Sequence, residues 1–201
     1  KAKQIIVSPG INTSNKVIQL AVAQGAKCFG DIELFSNNTK VPVVAITGSN
    51  GKSTVTSLVT EMARSAGKRA YSGGNLGPPA LELLKHEDAE LFILELSSFQ
   101  LESTQSLNPQ VSAVLNISAD HLDRHGSVEN YARIKAQIYE QAKISIVNRD
   151  DKFVSKMKTS GTIIKFGLDR PEDGEFGLLH KGKDSFLAKG SNSLLATSAL
   201  K

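Results

Sequence analysis

The sequence predicts an α/β fold of the P-loop type. This is a doubly wound parallel sheet with a small antiparallel sheet at its edge, preceded by the tail of a Rossmann-like domain. Two observations carry this prediction. From residue 43 onward, short apolar runs alternate with amphipathic stretches, which is the pattern of βαβ units. The apolar run 43–47 also leads directly into a glycine-containing loop and a helix, so we expect a parallel sheet with helices on both faces.

The first 35 residues are expected to form strand, turn, helix and strand in that order. The apolar run 5–7 predicts the first strand, and Ser8-Pro9-Gly10 predicts the turn. Apolar residues at helical spacing over 17–24 predict the helix, with Gly25 just past its end. The second strand is expected to reach residue 35.

A domain boundary is predicted at the polar stretch 36–42, which ends in a proline-containing pair. Residues 1–38 are assigned to the first domain and residues 39–201 to the second. Because the chain lacks an initiating methionine and begins almost on a strand, we expect it to be a piece of a longer protein.

The elements of the second domain follow from apolar runs and turn signals. Strands are expected at 43–47, 69–72, 90–95, 111–117 and 144–148. Helices are expected at 52–66, 79–86 and 127–142, the last with Ser127 as its N-cap. After residue 160, the short apolar runs 162–166, 176–180 and 185–189 predict the antiparallel sheet. The final stretch 194–201 is expected to begin a helix.

Composition excludes several function classes. The 201 residues carry 24 basic and 20 acidic side chains, a net charge of +4. The sequence contains no block of basic residues that would favour binding to nucleic acid. No apolar stretch approaches the roughly 18 residues of a membrane span. The single cysteine, Cys28, excludes an internal disulfide and is compatible with a reducing cytoplasm.

The most informative segment is 47–54, Thr-Gly-Ser-Asn-Gly-Lys-Ser-Thr. Backbone N–H groups of such a loop and of the helix that follows can surround phosphate. Lys52 adds a charge for the outer phosphates, and Ser53 adds a hydroxyl for Mg²⁺. The standard pattern has a glycine where Ile46 stands, so the loop is a short form that begins at Gly48. The sequence therefore predicts a nucleoside triphosphate site; the alternative is an ordinary strand-to-helix turn that contains a lysine.

Further polar residues follow the predicted strands, where ligands of parallel sheets lie. Glu95 ends strand 90–95 and can bind Mg²⁺ beside the phosphates, or else act as a capping glutamate. His121 stands between Asp120 and Asp123. It is either a metal ligand or a hydrogen-bonded loop histidine, and Mg²⁺ usually prefers oxygen.

Lys135 lies in the predicted helix 127–142, on one face with Tyr131 and Tyr139. The pattern by itself favours an amphipathic edge with the lysine reaching water. Residues 73–79 form a second glycine-rich loop, in which Asn75 can donate and accept hydrogen bonds.

Five segments together resemble the Mur ligase family, the ATP-dependent amide-forming enzymes of peptidoglycan synthesis. They are 47–54, Gly73-Gly-Asn-Leu-Gly77, Glu95-Leu-Ser-Ser-Phe-Gln-Leu101, Asn116-Ile-Ser-Ala-Asp-His-Leu-Asp123 and Asn148-Arg-Asp-Asp151. The segment 95–101 is most similar to the branch that adds D-glutamate to UDP-N-acetylmuramoyl-L-alanine. Residues 8–11 and 30–34 also resemble the end of that branch's first domain, so the resemblance covers nearly all of residues 4–151.

The resemblance implies a reaction and a set of site residues. ATP phosphorylates the substrate carboxylate, and the amine of D-glutamate attacks the acyl phosphate. ATP would be bound by Gly48, Ser49, Asn50, Gly51, Lys52, Ser53 and Thr54. Two Mg²⁺ ions would be bound by Ser53, Glu95, His121 and a carbamylated Lys135. The UDP-sugar substrate would contact Asn75, Ser97, Ser8 and Gly10, and the catalytic residues would be Lys52, His121 and Lys135.

The resemblance also implies a domain organisation. Residues 1–38 would be the end of the UDP-binding first domain, and residues 39–201 would be a truncated central ATP-binding domain, with the third domain missing. We therefore expect a cytoplasmic monomer, a fragment of the whole enzyme, that binds ATP weakly and does not turn over.

Three alternatives remain at this point. A folylpolyglutamate synthase shares the fold and the phosphate loop, although the segment 97–100 argues against it. A GTPase-like switch is compatible with Asp123-Arg-His-Gly126 and, approximately, with 148–151. The third alternative is a nucleotide-binding module without catalytic activity.

Overall fold

The first sheet is small and belongs to the amino-terminal part of the chain. In a computed structural model, which describes residues 2–12 and 14–200, the strands β1 (Gln4–Ile6) and β2 (Lys27–Phe29) pair in parallel. The helix α1 (Lys16–Ala23) connects them, and the side chain of its N-cap residue Asn15 accepts a hydrogen bond from the Val17 N–H. The predicted order of strand, turn, helix and strand is confirmed up to residue 29.

The next segment corrects the sequence prediction. Residues 31–38 form a helix, α2 (Asp31–Asn38), instead of the rest of a strand and a linker. Its acidic residues Asp31 and Glu33 lie in the first turn, where the helix dipole favours negative charge. Ile32 and Phe35, three residues apart, are fully buried, which is helical spacing.

The second sheet has nine strands and confirms the predicted α/β class. Its strands are β3 (Val43–Thr47), β4 (Ala70–Gly74), β5 (Leu91–Glu95), β6 (Val111–Val114), β7 (Ile144–Asn148), β8 (Thr162–Phe166), β9 (Phe176–Lys181), β10 (Asp184–Lys189) and β11 (Asn192–Ala196). They lie in the order β11-β10-β9-β8-β7-β6-β3-β5-β4. The pairs within β8-β7-β6-β3-β5-β4 are all parallel, and β3 is one of the two central strands of this parallel part. The carboxyl ends of β3, β5 and β6 therefore lie at one edge.

Helices cover both faces of this sheet. They are α3 (Lys52–Ser65), α4 (Ala80–Leu83), α5 (Ser98–Leu101), α6 (Leu122–His125) and α7 (Val128–Ala136), the last followed by a 3-10 turn at Gln137–Tyr139. Ser127 caps α7 as predicted, since its side chain accepts from the Asn130 N–H. The larger core contains Phe92 and Leu94 of β5, and the smaller core contains Ile93 of the same strand. Alternate residues of β5 therefore point into different cores, as expected for a strand buried on both faces.

The edge of the sheet differs from the prediction in two ways. The strand 162–166 pairs in parallel with β7, and β9 joins it through one pair, Phe166 with Phe176. The antiparallel strands β9, β10 and β11 thus continue the main sheet instead of forming a separate one. Residues 192–196 form a strand because they pair with β10, so the helix predicted to begin at residue 194 does not begin there. Lys201, the last residue of that predicted helix, lies outside the described residues.

Among the described residues, the helices are all too short or too polar to span a membrane.

Candidate active site

The predicted phosphate loop connects the central strand β3 to α3. Gly51 precedes α3 with φ of +79°, a conformation that favours glycine. A Cβ on Gly48 would lie 3.1 Å from the Leu115 Cβ, just after β6, so this close approach favours glycine there. Backbone conformation therefore favours glycine at position 51, and a close neighbour favours it at position 48.

Asn116, at the end of β6, holds the first half of this loop. Its backbone carbonyl accepts from the Ser49 N–H, and its Oδ1 accepts from the Asn50 N–H, both at 2.9 Å. The N–H groups of these two residues are thus engaged within the protein. The N–H groups in the first turn of α3, from Lys52 to Thr54, lack helical acceptors and face the same end of the sheet.

The Lys52 side chain lies along the loop. Its Nζ donates to the Ser49 carbonyl at 2.9 Å. The ammonium is therefore held beside the first turn of α3, where the macrodipole and the free N–H groups favour an anion.

Glu95 is a buried acid at the end of β5. The residue is 1% exposed, and its Oε1 accepts from the Asn75 Nδ2 at 2.7 Å. Its Oε2 is buried without a hydrogen-bond partner among the described residues. A buried carboxylate oxygen without a partner is costly unless a cation or donor is supplied, so its chemistry fits an Mg²⁺ ligand.

Lys135 corrects the sequence prediction most clearly. Instead of reaching water, it is 1% exposed, because Tyr131 of α7 and Tyr139 of the 3-10 turn that follows are buried in the core on the same side. Its Nζ donates to the Thr47 Oγ1 at 3.0 Å and lies 4.8 Å from the centre of the Tyr131 ring. Burial, and then the charge of Lys52, lower the pKa of Lys135 from 10.5 to about 7. A substantial fraction of this amine is therefore neutral, and nucleophilic, near neutral pH.

His121 precedes α6 with φ of 48° and ψ of 39°. It is the one non-glycine residue with positive φ in the described part of the chain, a conformation that costs about 1–3 kcal/mol. Its side chain is half-exposed, with Nε2 3.6 Å from the Asp120 carboxylate and its ring 5.0 Å from that of Phe99. Both predicted interpretations, metal ligand and loop histidine, remain compatible with this position.

His125 fixes α6 against α5. Its Nε2 is 2.9 Å from the Ser98 Oγ, and its Nδ1 is 3.3 Å from the Glu102 Oε1. Arg124 donates to the other oxygen of Glu102 at 2.6 Å. Burial lowers the pKa of His125 below its ordinary value, which favours the neutral form of this fully buried ring. These contacts hold the short helix that begins at His121.

A cavity of about 260 Å³ lies where these elements meet. It is lined by Lys52, Asn75, Ser97, Ser98, Phe99, Asp120, His121, Tyr131 and Lys135. Five predicted site residues therefore share one cavity. Ser8 and Gly10 are not part of this lining and lie in the turn after β1.

Sequence reasoning did not assign roles to several residues of this site. Tyr131 and Phe99 line the cavity, and Thr47 contacts Lys135. The signals were available for two of them, because Thr47 ends the central strand and Tyr131 stands one helical turn before Lys135.

Metal binding at this site needs ligands of more than one kind. Among residues 2–12 and 14–200, no cluster of three or more His, Cys, Asp or Glu side chains could hold a metal ion. An ion beside Glu95 would therefore also draw on the Ser53 hydroxyl and on oxygens of bound ligands.

The side chains of the segment 148–151, on which the GTPase-like alternative depends, form hydrogen bonds within the fold. Asn148 Nδ2 donates to the Leu115 carbonyl at 2.8 Å. The Asp151 carboxylate accepts from the N–H groups of Ile117, Phe153 and Val154. These side chains support the ends of β6 and β7, which argues against the GTPase-like alternative.

Comparisons with known proteins give consistent results. The sequence profile of the Mur ligase middle domain matches residues 46–194. The UDP-N-acetylmuramoylalanine--D-glutamate ligases of Pseudomonas fluorescens and Nitrosococcus oceani are 47% and 45% identical, over 202 and 201 residues. Both matches cover 100% of this chain, which spans 45% and 44% of those proteins.

A solved structure supports the fold. The structure of UDP-N-acetylmuramoyl-L-alanyl-D-glutamate--2,6-diaminopimelate ligase aligns with a TM-score of 0.67 at 20% identity. The alignment covers 95% of this chain and 52% of the other.

Proposed function

The chain belongs to the Mur ligase family. We propose that it is the ATP-binding part of a ligase that adds D-glutamate to UDP-N-acetylmuramoyl-L-alanine in peptidoglycan precursor synthesis. The names of its relatives at 45–48% identity support this choice within the family. Residues 39–201 would be the central domain, and residues 1–38 the end of the preceding one.

One observation carries the proposal. Lys52, the buried Glu95 and the buried Lys135 meet at the carboxyl ends of parallel strands, beside a cavity that also exposes His121. A structural role alone does not account for a carboxylate oxygen that has no partner among the described residues, together with a buried amine, at the predicted phosphate loop.

In the proposed reaction, phosphate binding falls to the first turn of α3 and to Lys52. Their N–H groups and ammonium stabilise the negative charge that spreads over the transferred phosphoryl group. The substrate carboxylate takes the γ-phosphoryl group of ATP, and ADP leaves. The amine of D-glutamate then attacks the acyl carbon, and inorganic phosphate leaves as the amide forms. Bound Mg²⁺ would supply further neutralisation of phosphate charge, with Ser53 and Glu95 holding one ion.

Lys135 is proposed to act as a carbamate. The lone pair of its neutral amine forms a bond to the carbon of CO₂, one C–O π pair moves onto oxygen, and one N–H proton passes to water. The product is an anion with oxygen donors, which suits Mg²⁺ better than an ammonium does. His121 and this carbamate would hold the second ion.

The first experiment tests nucleotide binding on the chain itself. In an NMR titration of the ¹⁵N-labelled chain, Mg²⁺ with a non-hydrolysable ATP analogue should shift the amides of residues 51–54 and Asn75. Lys52→Met should weaken this binding about tenfold or more, because the phosphates lose their charge partner. Lys68→Met, an exposed lysine just past the other end of α3, is the matched control. Equal binding by Lys52→Met, or a preference for the GTP analogue, would overturn the proposal.

The second experiment tests the substrate. A full-length ligase that carries this chain should form amide from UDP-N-acetylmuramoyl-L-alanine and D-glutamate. Glu95→Gln should lower its kcat about a hundredfold or more. Amide formation with a folate and L-glutamate instead would support the folylpolyglutamate alternative.

A further inference from the structure

Thr47, the last residue of β3, has a fully buried hydroxyl with two defined partners. Its Oγ1 donates to the Leu96 carbonyl at 2.7 Å. The same oxygen accepts from the Lys135 Nζ at 3.0 Å. The hydroxyl therefore connects the end of β5 to the buried lysine of α7.

These partners fix the direction of both hydrogen bonds. A threonine hydroxyl has a single proton, and a carbonyl can only accept, so the proton of Thr47 is committed to Leu96. Toward Lys135, Thr47 can therefore act only as an acceptor. An acceptor suits an amine, and it also suits a carbamate nitrogen, which keeps one N–H. It does not suit a carboxylate oxygen, which has no proton to donate.

The Tyr131 ring restricts a second direction around the Lys135 nitrogen. The Lys135 Nζ lies 4.8 Å from the ring centre. An aromatic face attracts a cation and repels an anion. A carboxylate formed on the nitrogen is thus disfavoured toward Thr47 and toward Tyr131. The remaining direction is the cavity lined by Lys52, Asn75 and His121.

We propose that Thr47 is a positioning residue: its hydroxyl holds the Lys135 nitrogen through the N–H that survives carbamylation and directs the added carboxylate into the cavity. This inference rests on the carbamylation of Lys135 proposed above. Thr47 itself touches neither the nucleotide nor the substrate in this role.

The test measures the modification directly. The chain is equilibrated with ¹³C-bicarbonate at pH 8, and the carbamate carbon is observed by ¹³C NMR. Lys135→Met identifies the signal by abolishing it. Thr47→Val should reduce the carbamylated fraction about fivefold or more, because the valine has no acceptor for the N–H. Thr47→Ser keeps the hydroxyl and should keep most of the signal.

Thr60→Val is a matched control. The Thr60 residue is also buried, and its hydroxyl donates to a backbone carbonyl, that of Thr56, at 2.7 Å. It differs from Thr47 in lying within α3, away from Lys135. Thr60→Val should therefore leave the carbamate signal unchanged, even where it lowers stability.

A second measurement covers the case in which Thr47→Val does not fold. In the smaller variant Thr47→Ala, the order parameter of the Lys135 Cε methylene should fall, because the nitrogen has lost its anchor. An unchanged order parameter contradicts the inference.

The role of Thr47 and the carbamylation of Lys135 are tested separately by these measurements. A Lys135-dependent signal in the wild-type chain that persists undiminished in Thr47→Val would overturn the role of Thr47 and leave carbamylation standing. Absence of any Lys135-dependent signal in the wild-type chain would overturn carbamylation, and the inference with it.

Discussion

Among its single residues, the site contains buried ionisable side chains, which destabilise a protein core. Lys135 and Glu95 are each 1% exposed, and Glu95 keeps an oxygen without a hydrogen bond among the described residues. Burying a charge costs several kcal/mol unless it is well paired, roughly 3–5 kcal/mol when a partner is missing. Residues of this kind beside the predicted phosphate loop indicate that function, and not stability, determines their identity.

Replacing Lys135 should therefore stabilise the fold. We expect Lys135→Met to raise the free energy of unfolding by about 1–3 kcal/mol at pH 7, because methionine fills the site without a charge. Urea denaturation in CO₂-depleted buffer measures this, with the exposed Lys85→Met as control.

The pH dependence of this gain has a defined sign. The pKa of Lys135 is lowered from 10.5 to about 7 in the folded chain. As the pH falls, the unfolded chain therefore binds this proton at a higher pH than the folded chain does. The cost of the native lysine therefore grows as pH falls from 10.5 to 7 and is constant below that range. A gain that is larger at pH 10 than at pH 7 would contradict the assignment of Lys135 as a desolvated amine.

At the scale of elements, α2 connects the amino-terminal unit to the main sheet. Its Glu33 is buried and accepts from the N–H groups of Gln105 and Ser106, at 2.7 and 2.9 Å. Burial raises the pKa of Glu33, but these hydrogen bonds outweigh it and hold the pKa below 4.5. The tip of the loop after α5 is thus anchored by one carboxylate.

Glu33→Gln should loosen this connection. We expect a loss of about 1–2 kcal/mol at pH 7, since an amide is a weaker acceptor and brings a donor toward two N–H groups. Because the native carboxylate has a depressed pKa, its stabilisation is present above pH 4.5 and is lost as pH falls through the folded-state pKa.

Denaturation at two pH values tests both parts of this expectation. The difference in stability between Glu33→Gln and the wild type should shrink as the pH falls below 4.5 and through the folded-state pKa. Glu87→Gln, an exposed glutamate, should show little change at either pH. A difference that is constant with pH would mean that the ionised carboxylate is not responsible.

The elements also show where sequence patterns are sufficient. Strands β3, β7 and β8 have the predicted bounds, because each is a short apolar run between turn signals. The short helix α6 was not predicted; it depends on side chains such as His125 that contact another element. The stretch 194–201 was predicted to begin a helix, but its first residues belong to β11, where long-range pairing with β10 overrides that local pattern.

In the whole molecule, the parallel and antiparallel parts of the nine-stranded sheet share far less strand pairing than the strands within each part. One pair, Phe166 with Phe176, links the parallel part to β9–β11. Arg149 reinforces this junction: its Nη1 donates to the Phe176 carbonyl at 2.9 Å and lies 3.4 Å from the Glu175 carboxylate. The antiparallel part should therefore open without unfolding the rest.

Native-state hydrogen exchange tests this uneven stability. Amides of residues 176–196 should exchange faster than those of β3 and β5. Arg149→Met should speed exchange in 176–196 about tenfold, through the loss of charged hydrogen bonds, and leave β3 unchanged. The control is Arg69→Met, which removes an exposed arginine with its own acidic partners. Equal acceleration across both parts would show that the sheet opens as one unit.

Local patterns were sufficient to predict the α/β class, the strand 43–47 and the family, because apolar periodicity and glycine spacing are local properties of the chain. They could not show that Lys135 is buried against Thr47, or that Glu95 has an oxygen without a hydrogen bond among the described residues. They also could not show that the antiparallel strands continue the main sheet. Each of these features depends on contacts between residues distant in sequence, and the desolvation that shifts a pKa depends on those contacts and not on residue type alone.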